Sequence, residues 1–151
     1  MAVSFALRRL LRIRELEEEQ RKLALESAAA QLNRMRSTLA ANVERNRKGR
    51  ALVAESARSG ELPDRLAGVV ETRLALRSEA ILAPRIASAE LQSAALRQEY
   101  LAKRVERRQA ETLIGETEAQ DEAESERRAQ QALDDWYGNR TQREPRQRKP
   151  A

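Results

Sequence analysis

The chain has no cysteine and no histidine. Their absence excludes a disulfide framework, a Cys/His metal set and an imidazole general base. Aromatic residues make up 3% of the 151 residues and charged ones 35%, too few large rings and too much charge for a compact globular core. Five glycines and four prolines leave few places to turn. None of those glycines takes part in a G-x-x-x-x-G-K-[ST] phosphate loop, so the chain is not a nucleotide hydrolase of that kind. No stretch of about 18 residues, the length that spans a bilayer, is free of charge. A secretory signal would need an unbroken apolar run of about seven residues or more, and Arg8, Arg9 and Arg12 interrupt the one at the start. The expectation is a non-enzymatic, cytoplasmic protein with no metal, no cofactor and no membrane insertion.

What is present is helix. Ala, Glu, Leu and Arg dominate, as in long helices and coiled coils. From Ser4 to Leu39 there is no breaker, and at about 100° per residue Leu7, Leu10, Leu11, Leu25, Ala28, Leu32, Met35 and Leu39 share one broad face. From Leu25 onward the steps alternate three and four, the rhythm of a coiled-coil seam. Arg14, Glu18 and Arg21 hold seam positions while Leu16 and Leu23 lie off them, as a register shift would produce. Ser4 is placed to cap the first turn, and Gly49 reads as a tolerated weak point in the helix.

Ser59-Gly60-Glu61-Leu62-Pro63-Asp64 is the clearest break. Gly60 permits a left-handed stop, Pro63 disfavours helical geometry before it, and Asp64 is placed to cap the next helix. The elements predicted are a helix over about 4–58, a short helix over about 65–82 ended by Pro84, and a helix over about 85–137. In the last, Ile86, Ala89, Ser93, Leu96, Tyr100, Lys103, Arg107, Ala110, Ile114 and Thr117 keep the three-four rhythm. Residues 138–151, with five bases against one acid and two prolines, read as a flexible basic tail.

The arms before the break and after Pro84 are near-equal in length, which suggests an antiparallel two-helix coiled coil, all-α and elongated, with the short helix near its bend. Residues 1–137 would form one domain about 80 Å long at about 1.5 Å per residue. Matching the arms pairs residue i with roughly residue 141 minus i, setting Trp136 against Phe5 and Ile114 beside Ala28. It also sets the carboxylates of Glu111 to Glu126 opposite Glu15, Glu17, Glu18, Glu19 and Glu26, like charge facing like. A nucleic-acid binder is disfavoured, since that band repels phosphates and the aromatics are not interleaved with the basic clusters. The aliphatic middle, with Val69, Val70, Leu74 and Ile81 spanning more than one face, suggests an exposed patch and a partner.

The opening Phe5-Ala6-Leu7-Arg8-Arg9-Leu10-Leu11-Arg12-Ile13-Arg14-Glu15, followed by Glu17-Glu18-Glu19, resembles the start of the flagellar export protein FliJ family. Val105-Glu106-Arg107-Arg108-Gln109-Ala110-Glu111, and then Glu126-Arg127-Arg128-Ala129-Gln130-Gln131-Ala132-Leu133-Asp134-Asp135, resemble that family's C-terminal helix. The resemblance implies a central stalk of the type III export apparatus, related to the YscO-type injectisome stalks and peripherally associated with the inner membrane. Its implied partners are a hexameric export ATPase, an export gate membrane protein and export chaperones. By position, Phe5, Leu7, Leu10, Leu11, Arg12, Glu126, Arg127, Leu133 and Asp134 would face the ATPase ring, and Leu66, Val69, Val70, Arg73 and Leu74 would touch the gate. A generic coiled-coil tether, or the equivalent stalk of a virulence injectisome, is the alternative reading.

Overall fold

The computed structural model describes residues 4–143. They form two helices, α1 (Phe5–Ser59, 55 residues) and α2 (Leu62–Arg143, 82 residues). Ser4 caps α1, its hydroxyl oxygen accepting from the Leu7 N–H at 3.3 Å. Gly60 ends α1 in the left-handed region (φ 75°), its N–H donating to the Ser56 carbonyl at 2.8 Å. The connection is two residues long.

The short helix expected over 65–82 and the separate helix from 85 are one continuous element. Pro63 falls in the first turn of α2, where the backbone N–H groups have no helical partner and a missing one costs nothing. Asp64 accordingly sits inside the helix, in the turn where a carboxylate complements the helix dipole. Pro84 lies on an exposed position between the inward-facing Leu82 and Ile86. The carbonyl it orphans, that of Ala80, belongs to an exposed residue and is left to water, so the helix passes through. The tail expected from Gly138 is helical as far as Arg143, and residues 144–151 lie outside the described residues.

The chain divides into two compact units. In the unit of residues 17–103, α1 and α2 run antiparallel. Glu17 meets Lys103 at 3.6 Å, Arg21 meets Glu99 at 3.1 Å, Arg36 meets Glu90 at 3.0 Å, and Arg45 pairs with Glu71. The Asn42 side-chain amide donates to Ser78 Oγ at 2.7 Å inside the seam. Paired numbers sum to about 120 rather than 141, the register that a tight turn at Gly60 and Glu61 imposes. In the other unit, which takes residues 1–16 and 104–151, the same register recurs where Arg14 donates to Glu106 at 2.8 Å.

The seam follows the three-four rhythm throughout. Leu7, Leu10, Leu11, Leu25, Ala28, Met35 and Leu39 are half-buried and Leu32 is buried. On α2, Ile86 and Ala110 are buried, and Ala89, Ser93, Leu96, Tyr100, Lys103, Arg107, Ile114 and Thr117 are half-buried, as the spacing predicts. The register shift expected near Arg14 does not occur. Arg14 and Glu18 stay half-buried on the seam, Arg21 is instead exposed where it pairs with Glu99, and Leu16 and Leu23 face outward, both about half exposed. An ion pair across the seam lets Arg14 hold a position that an apolar residue would otherwise take.

Near the turn the seam is made of small residues at seven-residue spacing. Asn42, Gly49 and Ser56 are buried on α1, and Gly68 and Ala75 on α2, with Ala75 fully inaccessible. A Cβ built on Gly49 would stand 3.0 Å from the Gly68 carbonyl oxygen, and one on Gly68 would stand 2.7 Å from the Gly49 carbonyl oxygen. The two backbones touch there. Gly49 is therefore a packing requirement of the hairpin rather than a weak point.

Candidate functional site

Two surfaces carry residues that the sequence singles out, one in each unit. In the unit of residues 17–103, the first turns of α2 present aliphatic side chains to solvent. Leu66, Val70 and Leu74 are about half exposed and recur every four residues, with Leu62 before them. Such positions on the outer face of a helix pair are normally charged, so the stripe is an exposed apolar surface of the kind that proteins use for contacts.

Val69 and Arg73 lie to one side of that stripe. With Arg50, Val53 and Thr72 they line a groove between α1 and α2. Val53 and Val69 are half-buried and form its apolar floor, and Arg50 and Arg73 are exposed. The Thr72 hydroxyl donates to the Gly68 carbonyl at 2.9 Å, so its proton is already engaged on its own helix. All five residues expected to touch a gate thus fall on one short segment of α2, with Val69 and Arg73 in the groove and Leu66, Val70 and Leu74 along the stripe.

The opposite flank of the same helix pair is different in character. Ala41, Glu44, Arg45, Lys48, Gly49, Leu52 and Glu71 surround a shallow depression there. Its charges are engaged with one another. Arg45 pairs with Glu71, and Arg47, on the same helix, donates to Glu44 at 2.7 Å. The hydrogen bond from Arg45 holds the Glu71 carboxyl below the ordinary carboxylate value, and Arg47 does the same to Glu44. At the turn, Glu61 is pushed the other way, raised by sharing a hydrogen bond with Asp64 and by the charge of Asp64.

In the other unit, Leu7, Leu10 and Leu11 are half-buried, and the register of Arg14 with Glu106 puts them opposite Ala110 and Ile114. Phe5 is 81% exposed. Arg12 is exposed and meets Glu15 at 3.6 Å on its own helix. The same register brings Phe5 only as far as about residue 115 of α2. Glu126, Arg127, Leu133 and Asp134 are therefore not beside Phe5 and Leu7, as arm-matching predicts, and Trp136 does not meet Phe5. They stand on a stretch of α2 with no α1 residue opposite it among the described residues, and every residue from Glu122 to Arg143 is exposed.

This stretch carries its acids first and its aromatics last. Glu116, Glu118, Asp121, Glu122, Glu124 and Glu126 come before the first base, Arg127. The like-charge confrontation with Glu15 to Glu19 does not arise, because the true register sets Glu17 against Lys103 and leaves the band unopposed. Farther on, Leu133, Trp136 and Tyr137 are each more than half exposed. The two rings pack edge to face with centroids 5.0 Å apart, and the Arg140 guanidinium lies 5.4 Å from the Trp136 ring centroid. Gln130 donates to Asp134 one turn earlier at 3.2 Å. The Trp-Tyr-Arg group is absent from the expected ring-facing residues. Its signal was available, since these three residue types dominate interface energetics.

Among the described residues no group of three or more metal-ligating side chains comes together, and no helix is long and apolar enough to cross a membrane. No curated protein and no solved structure matches the chain significantly. A family model does: that of the flagellar FliJ protein, over residues 4–146.

Proposed function

The chain belongs to the flagellar FliJ protein family, a family of stalk proteins of the flagellar export apparatus rather than of enzymes, and on that footing we propose a division of labour along it. The exposed C-terminal part of α2, together with the start of α1, engages a hexameric export ATPase. The turn-proximal segment around Leu66 to Leu74 engages the export gate at the inner membrane, and export chaperones dock on the same apparatus.

One observation carries the ATPase half of this reading. From Glu122 to Arg143, α2 continues as a single helix, exposed on all sides and tipped with Leu133, Trp136, Tyr137 and Arg140. A lone helix with every residue from Glu122 to Arg143 exposed buries nothing in return for its ordering, so a surrounding partner supplies the missing burial. The lumen of a ring is a surface that contacts a helix on all sides.

The coupling is a matter of differential binding. A stalk that contacts several ATPase subunits at once stabilises the assembled ring over free subunits and shifts assembly by mass action. It needs no chemistry of its own, and an activity that depends on subunit interfaces rises with assembly.

The test is titration of the purified protein into the export ATPase of the same organism, following hydrolysis and hexamer formation together. Stimulation that saturates near one chain per ring supports the stalk reading. Absence of binding leaves a family member that acts as a tether elsewhere in the apparatus.

A further inference from the structure

The flank of the helix pair that holds Arg50, Val69 and Arg73 is built from lines of residues at seven-residue spacing. On α1 the line is Val43, Arg50 and Ala57, and on α2 it is Leu62, Val69 and Leu76, with Leu66 and Arg73 on the next line outward. Val43, Leu62, Leu66 and Leu76 are all substantially exposed. The charges on these lines are all positive. Neither guanidinium meets a carboxylate among the described residues. The corresponding lines on the opposite flank hold Asp64 and Glu71, the latter paired with Arg45. The lining of the groove itself is thus apolar and cationic with no carboxylate, Asp64 and Glu71 stand on the other flank, and Glu79, on the line of Thr72 but outside the groove's lining, has one carboxylate oxygen buried.

From this asymmetry we propose that the groove floored by Val53 and Val69 is a docking site for an acidic amphipathic helix of a partner protein. The partner helix lays an aliphatic stripe between α1 and α2 and sets Asp or Glu side chains against Arg50 and Arg73. The valley between two packed helices is the shape a third helix fills. Two unpaired guanidiniums on its walls favour carboxylates on the incoming helix and penalise cationic ones. An anionic bilayer is the less suitable occupant. It asks for a flat or convex amphipathic face with interfacial Trp or Tyr, whereas here the apolar floor is recessed and the lines hold no aromatic residue. The inference deepens the proposed gate contact and rests on that reading for the partner's identity, but not for the chemistry of the surface.

The experiment uses the full chain and two synthetic helices of about 20 residues, identical except that Glu flanks the leucine stripe in one and Lys in the other. The Glu helix is expected to bind at least about tenfold tighter than the Lys helix. The Arg50→Glu/Arg73→Glu variant is expected to lose that preference or reverse it. Its helical circular dichroism and melting should be unchanged, since both side chains are exposed. Equal binding of the two helices, or binding insensitive to the charge reversal, overturns the proposal. So does recruitment to vesicles of anionic phospholipid without charge-selective helix binding. The purified cytoplasmic domain of the gate protein separates the two readings. If it captures wild type and variant equally, the groove proposal fails and the gate reading stands. Charge-selective helix binding without capture by that domain upholds the groove and removes the gate as its partner.

Discussion

Gly49 of α1 and Gly68 of α2 face each other so closely that neither can carry a methyl group without displacing the other's backbone carbonyl. Ordinary coiled coils keep their helices apart with Leu and Ile. Here, next to the turn, heptad-spaced small residues let the backbones meet, and packing of main chain on main chain replaces a side-chain core.

Substituting these glycines should therefore run against helix propensity. Ala is better than Gly in a helix by about 0.8–1.0 kcal/mol, yet Gly68→Ala should destabilise by roughly 1–3 kcal/mol through overpacking. Gly115, whose added Cβ would meet nothing within 4 Å, is the internal control, and Gly115→Ala should raise stability by about 0.5–1 kcal/mol. Urea unfolding of the two variants gives opposite signs if the close approach is real. Two stabilised variants would disprove it.

Gly60→Ala is expected to cost about 1–2 kcal/mol for a different reason, since its φ of 75° lies where a Cβ is strained although the space around it is open. Asn at this position should recover part of the loss, because it tolerates the left-handed region. Thermal melts of the wild type and the two variants, falling in the order Gly, Asn, Ala, check this.

Asn42 and Ser78 hold each other inside the seam at 2.7 Å. Asn42→Ala and Ser78→Ala should each cost about 1 kcal/mol by leaving the other partly buried and unpaired. The double variant should cost less than the sum of the two, because the pair is lost only once. Strict additivity in a double-mutant cycle would mean that the bond contributes nothing.

Acid should weaken the turn-proximal flank. The Glu71 and Glu44 carboxyls are held below the ordinary value of 4.5 by hydrogen bonds from Arg45 and Arg47. The stability they contribute is present above pH 4.5 and lost as pH falls through their lowered values. Glu61 works in the opposite direction. Its pKa is raised by Asp64, so its contribution is present below pH 4.5 and lost as pH rises through the raised value. Glu71→Gln should flatten the acid fall of the melting midpoint. Glu61→Gln should raise the midpoint at neutral pH, with the gain vanishing in acid.

Leu133→Ala and Trp136→Ala should leave melting unchanged, because neither side chain is buried, while reducing stimulation of the export ATPase by about tenfold or more if these are anchors in the ring. Replacing Leu7, Leu10 and Leu11 with Ala should lower stability as well as ring binding, since all three are half-buried against α2. A pair of melts and a hydrolysis titration distinguish contact residues from scaffold residues.

Much of the hairpin was legible in local pattern. The three-four spacing picks out Ile86 through Thr117 as the inner face of α2, Ser4 as a cap and Gly60 as a stop, because each rests on interactions within a few residues along the chain. Gly49 misled because its intrinsic cost in a helix is a local property, while its value lies in Gly68, nineteen positions farther on by the numbering of the sequence. Heptad spacing of Asn42, Gly49 and Ser56 was the sign of it.

The sequence by itself determined that the chain is helical, where its seam runs and where it turns. Only the tertiary structure decided which residues the seam brings together. Pro63 and Pro84 look alike as helix breakers, but one falls in a first turn that needs no N–H and the other on an exposed face where water accepts the loss. With both absorbed, the turn shrinks to Gly60 and Glu61 and the pairing slides by about twenty residues from the register that arm-matching gives. That slide takes the acidic band away from Glu15 to Glu19 and leaves the end of α2 unpaired. Register in a coiled coil is set by turn length and by a few cross-helix polar pairs, and a regular three-four rhythm fits many registers almost equally well.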